Sequence, residues 1–347
     1  MNSKKVLITG VSGQDGSNMT RYLLRETNHT IYGGVRRLSV QNYDNIKDIK
    51  NSRFKLVNFD LLDQQSIINL IKEIKPDYVI NFAAQSFVGE SWNMACYSFT
   101  TNTLPVIYFL EAIKEYVPKC RFYSAGSSEE LGDVDYAPQD LNHPLKPRSP
   151  YGASKCAARH LVKVYRESYD LFAIHCILFN HEGIRRGKEF VTRKITSNMA
   201  RIKHKIDKGE TFEPFELGNI FSERDWSDSE DFVEAVWIML NKDKPREYCL
   251  SSNEKHSVKE FIDIVCKYLQ LPVEWHIDKE NALNTKLSYQ GNPIITISES
   301  FYRPAEVDLL WGDCNETMKE LNWKAKTTFQ QLVEKMVDWD LELESCN

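Results

Sequence analysis

Four residues near the middle of the chain have the types and spacing for proton chemistry. Tyr151 and Lys155 stand in Ser149-Pro150-Tyr151-Gly152-Ala153-Ser154-Lys155, and Ser127 and Glu129 precede them by about twenty residues. Pro150 suits the first turn of a helix, where an amide N–H has no intrahelical partner to lose. A helix starting there puts Tyr151 and Lys155, four apart, on one face. An ammonium close to a phenol favours the phenolate, so the pair is expected to lower the tyrosine pKa and give a base for oxidising an alcohol near neutral pH. Ser127 can hydrogen-bond a substrate hydroxyl, and Glu129 can act as a base if burial raises its pKa. Glu130 stands next door, and one of the two glutamates can be no more than a solvated neighbour. An isolated Tyr-x-x-x-Lys occurs on many surface helices, and what gives this one weight is the start of the chain.

Val6-Leu7-Ile8-Thr9 reads as a short buried strand that runs into Gly10-Val11-Ser12-Gly13-Gln14-Asp15-Gly16 and then a helical stretch to about Glu26. Glycines at this spacing let the backbone turn tightly and approach a pyrophosphate seated on the helix N-terminus. Gly10, Ser12, Gly13, Gln14, Asp15 and Gly16 are therefore expected at a bound dinucleotide. A second strand, residues 30–35, should end beside the adenine ribose, where NAD sites usually place a carboxylate and a 2′-phosphate needs positive charge. The sequence offers Arg36 and Arg37 and no carboxylate, so NADP is the expected cofactor. Further strands at 54–59, 78–82, 121–125 and 172–179 alternate with segments of helical apolar spacing, such as Ile67, Leu70, Ile71 and Ile74. That alternation predicts an α/β fold built on a doubly wound parallel sheet, with ligands at the strand carboxyl ends. Asp60 and Leu61 fall at such an end, as do Phe82-Ala83-Ala84-Gln85-Ser86. Asp60 suits the adenine, and the small Ala83 and Ala84 allow close approach of the cofactor.

The 347 residues suffice for a large domain with a smaller companion. The expected division is a dinucleotide-binding domain over 1–180, with a returning segment near 218–242, and an interleaved, smaller α/β substrate domain over 181–347. Arg193, Lys194, Arg224 and Arg303 in the second half suit a diphosphate, which guanidinium forks grip with two hydrogen bonds. Ser86, Ser127, Asn180 and Glu306 complete the expected substrate contacts. The end of the chain, 332–343, reads as an amphipathic helix with Leu332, Met336, Trp339 and Leu343 on its core stripe. A net charge of -5 carries no nucleic-acid footprint. No N-terminal run is long enough for a membrane span or signal peptide. The eight cysteines form no CxxC pair and the eight histidines show no ligand spacing, so no metal site or disulfide framework is expected, and the protein is read as cytoplasmic.

Together these blocks resemble the extended short-chain dehydrogenase/reductases, and within them the GDP-mannose 4,6-dehydratase family. The likeness runs nearly end to end. It includes Ile8 through Ser17, Arg36-Arg37, Ala84-Gln85-Ser86, Pro147 through Ala153, Leu178 through Glu182, Phe190 through Ile195, Leu217-Gly218-Asn219, Arg224-Asp225-Trp226, Tyr302 through Asp308 and Leu321-Asn322-Trp323. The resemblance implies a Rossmann fold and a GDP-sugar substrate. It makes Tyr151 and Lys155 the pair that takes the C4 hydroxyl proton, Ser127 the hydroxyl residue where the family often has threonine, and Glu129 the carboxylate. It also implies cofactor contacts from Gly10 through Asp15, and from Asp60, Leu61, Gln85, Ser86, Tyr97, His181 and Arg186. The Arg36-Arg37 loop would reach a neighbouring subunit, making a homodimer or homotetramer.

Two departures fall where the hexose would sit. The family usually reads Ser-Glu-Leu-Tyr-Gly where this chain has Ser128-Glu129-Glu130-Leu131-Gly132, and the match thins between Phe87 and Thr103. GDP-mannose and a GDP-manno-heptose both fit the reading. A 4-dehydrogenase or 4-epimerase of the same fold needs Tyr151 and Lys155 but no base at C5, so Glu129 favours elimination. A non-catalytic NADP-binding protein would need neither Tyr151 nor Lys155, and both stand here.

Overall fold

Why the first strand lies inside the sheet is written in its side chains. β1 (Lys5–Thr9) carries Val6, Leu7 and Ile8 in succession, all fully buried, as a strand covered on both faces requires. Val6 and Ile8 enter one apolar cluster and Leu7 the opposite one, because successive strand side chains point to opposite faces. The structure, a computed structural model, describes residues 3–37, 39–40, 42–302 and 305–346.

On one side of β1 follow β2 (Thr30–Val35) and β3 (Phe54–Asn58). On the other follow β4 (Tyr78–Asn81), β5 (Arg121–Ala125), β6 (Ala173–Leu178) and a last strand, Tyr248–Leu250, to make seven parallel strands. The strand order reverses at β1, so a crevice opens between the carboxyl ends of β1 and β4, where such sheets bind ligands. There Thr9 Oγ1 donates to Asn81 Oδ1 at 2.6 Å and accepts from the Ala83 N–H at 3.1 Å.

Helices cover both faces. α1 (Gln14–Glu26) lies on the face where Met19 and Leu23 join Val6 and Ile8. α2 (Gln64–Ile74), α3 (Ala95–Tyr116) and α4 (Pro150–Tyr169) lie on the other, burying Ile71, Phe109 and Val162 against Leu7. Each such side chain contributes roughly 1.5–3 kcal/mol when fully buried.

A second core gathers α5 (Val191–Asp207) and, beyond α6 (Ser229–Leu240), α7 (Val258–Tyr268). α8 (Asn315–Leu321) leads on to α9 (Phe329–Ser345), whose Phe329 stacks on Trp226 at 5.7 Å between centroids. α5, α7 and α9 pack on a four-stranded sheet that includes Phe215–Leu217 and Asn292–Ile297. The two regions are interleaved: α6 returns to pack beside α1, and Tyr248–Leu250 pairs with β6. Within residues 218–242, Ile220 and Trp226 join the second core, while Phe232, Val233, Val236, Met239 and Leu240 of α6 join the first.

The C-terminal stripe also differs from its expected composition. Leu332, Val333, Met336 and Val337 are fully buried, whereas Trp339 is half-buried and Leu343 exposed. Asp340 takes the inward position instead, because Arg193 of α5 binds it with two hydrogen bonds of 2.6 and 2.9 Å. A buried ion pair has turned the helix face by one residue from the purely apolar pattern.

Candidate active site

α4 begins where Pro150 allows it. Ser149 caps the helix, its Oγ accepting the Gly152 N–H at 3.0 Å. Tyr151 and Lys155 then share the inward face, both almost wholly buried. Lys155 Nζ donates to the Ala125 carbonyl at 2.8 Å and lies 5.7 Å from the centre of the Tyr151 ring. Between them Ser154 accepts a hydrogen bond from Asn102 of α3 at 3.0 Å, which fixes α4 against its neighbour.

The end of β5 brings the other two residues. Gly126 leads into Ser127 and a single 3-10 turn, Ser128–Glu130. Ser127 Oγ accepts the Glu129 N–H at 3.3 Å, and Glu130 Oε1 accepts the Ser127 N–H at 2.8 Å. This reciprocal cap sends the two glutamates in opposite directions. Glu129 lines the cleft, while Glu130 is fully buried behind it, 2.9 Å from His175 Nε2 on β6. Neither is a solvated neighbour.

Electrostatics depart from the expectation for Tyr151. Burial pushes its phenol up, and the Glu129 and Glu130 charges add to the rise. The Ser127 hydroxyl and Arg186 oppose it without reversing it. Burial pulls the pKa of Lys155 down to about 8, against the upward pull of Glu130 and Asp15. The net shift of the Tyr151 phenol is upward.

At the other end of the crevice, Gly10 adopts a left-handed backbone (φ +66°) and lies so close to β4's end that a Cβ would approach Ala83 N to 2.8 Å. A Cβ on Gly16 would overlap the Gly10 carbonyl, so α1 can pack on the turn only through glycine. Gly13 caps α1 with no side-chain acceptor, which leaves the first N–H groups of the helix to an anion. The turn thus fits the pyrophosphate of a dinucleotide. Gln14 Nε2 donates to the His181 carbonyl at 3.0 Å, and Asp15 meets His181 Nε2 at 2.9 Å. His181 Nδ1 faces the Phe179 carbonyl at 2.9 Å, so both ring nitrogens confront acceptors. Burial pulls His181 down, but Asp15 outweighs it and the net shift is upward. Burial pushes Asp15 up, yet His181 and Arg186 bring it below its ordinary value.

Between the sheet edge and the second core lies a cleft of about 490 Å³. It brings together Ser127, Glu129, Tyr151 and Lys155 with Asp15, Phe82, Ala84, Ser86, His181 and Arg186 from the first region. Asn180, Lys194, Arg224 and Glu306 line its far side, where Arg224 Nη2 donates to Glu306 Oε1 at 3.2 Å. Gly10, Ser12, Gly13, Gln14 and Gly16 lie beside it in the β1–α1 turn. Ala83 follows β4, and the Gln85 N–H donates to Asn102 Oδ1 at 2.8 Å. Arg36, Arg37 and Asp60 are exposed beyond the ends of β2 and β3; Asp60 Oδ1 accepts the Leu62 N–H at 2.9 Å, and Leu61 is half-buried. Tyr97 is exposed in the first turn of α3, off the cleft wall. Arg193 does not face the cleft. Its guanidinium is spent on Asp340 and on the Ile184 and Arg186 carbonyls, so it organises the second core rather than a diphosphate. Arg303 lies outside the described residues.

A family model described as GDP-mannose 4,6 dehydratase matches residues 7–336. The chain belongs to that family. The human GDP-mannose 4,6 dehydratase is 39% identical over 350 residues, spanning 98% of this chain and 92% of its own. The Vibrio cholerae GDP-mannose 4,6-dehydratase is 36% identical over 359 residues, spanning 99% and 95%. Among solved structures, a dTDP-glucose 4,6-dehydratase of Streptomyces venezuelae with NAD and TYD bound superposes with a TM-score of 0.81 at 18% identity, over 99% of this chain and 98% of that one. RMD from Pseudomonas aeruginosa, complexed with NADPH, superposes with a TM-score of 0.75 at 21% identity, over 98% and 100%. At those identities the structures speak to the fold.

For this member of the dehydratase family, several cleft residues went unread in the sequence. Phe87 meets Phe190 edge-on at 5.7 Å, the Arg186 guanidinium lies 3.5 Å from the Phe190 ring centre, and Lys194 lies 3.3 Å from that of Phe301. Phe301 comes from a distant segment, and nothing local pointed to it. Glu90 and Asn93 also line the cleft, inside the stretch where the likeness to the family thins.

Proposed function

We propose that the protein removes water from GDP-mannose or a GDP-manno-heptose to give the 4-keto-6-deoxy sugar, using NADP without net consumption. The observation that carries this reading is the position of Glu129, a carboxylate on the same cleft wall as the alcohol-oxidising Ser127, Tyr151 and Lys155. A nicotinamide cofactor, when bound, supplies reversible hydride acceptance, taken at C4 and given back at C6.

The chain's own groups account for the protons. Ser127 Oγ and the Tyr151 phenol hold the C4 hydroxyl, and Tyr151 takes its proton as C4 becomes a ketone. Burial raises the Tyr151 phenol, against the Ser127 hydroxyl and Arg186, and a positively charged nicotinamide ring bound beside it would favour the phenolate. Lys155, fastened to the Ala125 carbonyl, keeps a donor beside the phenol. The C4 ketone acidifies the C5 proton, which passes to Glu129. Glu129 hands it to the departing C6 hydroxyl as the C–O bond breaks and water forms. A proton then returns to C5, balancing the one taken by Tyr151, so the enzyme ends as it began.

The exposed Arg36 and Arg37, with no acidic residue in the sequence from 36 to 43, support NADP over NAD. Exposed apolar residues on α3 and α4, Phe99, Leu104 and Val164, support a homodimer or homotetramer. All eight cysteines are free, which supports a cytoplasmic setting. No described helix is long and apolar enough to cross a membrane.

The test is to incubate the purified protein, with no added cofactor, with each GDP-sugar and follow the products by mass spectrometry. Loss of one water from either sugar supports the reading and names the substrate. Loss of two hydrogens, with reduced cofactor accumulating once NADP is supplied, would make it a dehydrogenase. Glu129→Gln should slow water loss by roughly 10²–10⁴-fold while still oxidising C4, the range for removing a positioned acid–base group.

A further inference from the structure

Glu130 stands one residue beyond the proposed base, and the proton chemistry does not use it. It is completely buried together with His175, and the two are 2.9 Å apart. A carboxyl group in such a place is costly unless it is held. What holds it is the active-site loop itself: Glu130 Oε1 accepts the Ser127 N–H at 2.8 Å as well as facing His175 Nε2. The loop accommodates the pair through Gly126, where a Cβ would come within 2.7 Å of Glu130 Oε1 and overlap His175. The Gly126 N–H donates to the Cys176 carbonyl of β6 at 2.8 Å, so β6 carries both anchors of the loop. Glu130 Oε2 and His175 Nδ1 have no hydrogen-bond partner among the described residues.

We propose that Glu130, backed by His175, is a positioning residue for the active-site loop: its carboxyl group fixes the Ser127 peptide, and with it the direction in which Ser127 Oγ and Glu129 face the cleft. Ser127 Oγ in turn receives the Glu129 N–H, so the orientation set at Ser127 passes to the base. Around Glu130, His175 of β6 meets its carboxylate and the Cys156 thiol of α4 donates to its carbonyl at 3.5 Å, while Cys176, Tyr151, Lys155 and Arg159 lie near enough to feel its charge; burial pulls Lys155 down and Glu130 is the first of the groups that oppose it. Glu130 reaches the reacting sugar only through these neighbours.

The kinetic part of the test rests on the dehydratase reading, and amide exchange does not. Glu130→Gln keeps an acceptor for the Ser127 N–H. Glu130→Leu removes it, and Glu130→Leu combined with His175→Leu removes both buried polar partners and restores an apolar contact. The Gln variant should keep kcat within about threefold of the parent, and the folded double variant should lose roughly 10²-fold in kcat with KM nearly unchanged, the scale of a small misplacement of reacting groups. Hydrogen exchange by mass spectrometry should show faster exchange at Ser127 in both leucine proteins and parent-like protection in the Gln protein. A folded double variant with parental kcat and parental Ser127 protection overturns the proposal. So do equal exchange rates in the Gln and Leu single variants. If the parent dehydrates neither sugar, the functional reading falls, and the exchange comparison still decides the role of Glu130.

Discussion

Arg193 shows how far residue type can mislead about role. Among the basic residues of the second half it looked as suited to a diphosphate as Lys194 or Arg224. In the structure it is almost wholly buried and bound to Asp340, which also accepts from Thr196 Oγ1 at 2.7 Å. Removing one member of such a pair leaves the other charged, buried and unpaired, which costs about 3–5 kcal/mol. Arg193→Met should therefore lower the thermal midpoint markedly while leaving KM for the GDP-sugar unchanged at a temperature where it is folded. A raised KM with an unchanged midpoint would return Arg193 to the substrate site. Tyr151 carries the complementary lesson. The Tyr-x-x-x-Lys spacing told correctly that the two side chains share a face, but not that burial would push the phenol's pKa up.

At the scale of the element, α4 is the part on which the chemistry depends. Its start is specified locally by Ser149 and Pro150, and its rotation by the Asn102 and Thr103 hydrogen bonds to Ser154. Capping and packing are thus both visible at the residues flanking Tyr151. Ser149→Ala removes the cap and should cost about 1 kcal/mol, read as a lower urea midpoint with an unchanged m-value. Because Tyr151 lies in the first turn, kcat should fall as well. An unchanged urea midpoint would mean that Pro150 and the Ser154 contacts hold the turn without the cap. The β5 end works by the same local logic: a three-residue turn with a reciprocal cap decides which glutamate faces the sugar.

At the scale of the molecule, the Asp15–His181 contact ties the β1–α1 turn to the strand that leads into the second region. His181 is raised above its ordinary value of 6.5 by Asp15. Its contribution to stability is therefore complete below that value and lost as pH rises through the raised folded-state pKa. Asp15 is lowered, so its contribution is present above 3.8 and lost as pH falls through the depressed value. As pH rises from 6.5 through the raised folded-state value, only the histidine half of this linkage changes. The thermal midpoint of the parent should fall more steeply over that interval than that of His181→Gln, as scanning calorimetry would show. Parallel slopes would mean that the pair adds nothing to folding.

What the sequence determined by itself was whatever is encoded within a few residues or by a simple period. The glycine turn after β1 and the start of α4 depend on backbone freedom and caps, which are local. The alternation of strand and helix follows from apolar periodicity, and with it comes the parallel sheet and the edge where ligands bind. What only the tertiary structure decided was which polar side chains meet across long separations. Asp340 approaches Arg193 from 147 residues away, Glu130 finds His175 on the adjacent strand, and Phe301 closes a wall begun by Phe87 and Phe190. Propensity and spacing carry no information about such partners, because a buried charge is held by whatever the packed chain brings to it. For the same reason the direction of a buried group's pKa shift had to wait for the fold.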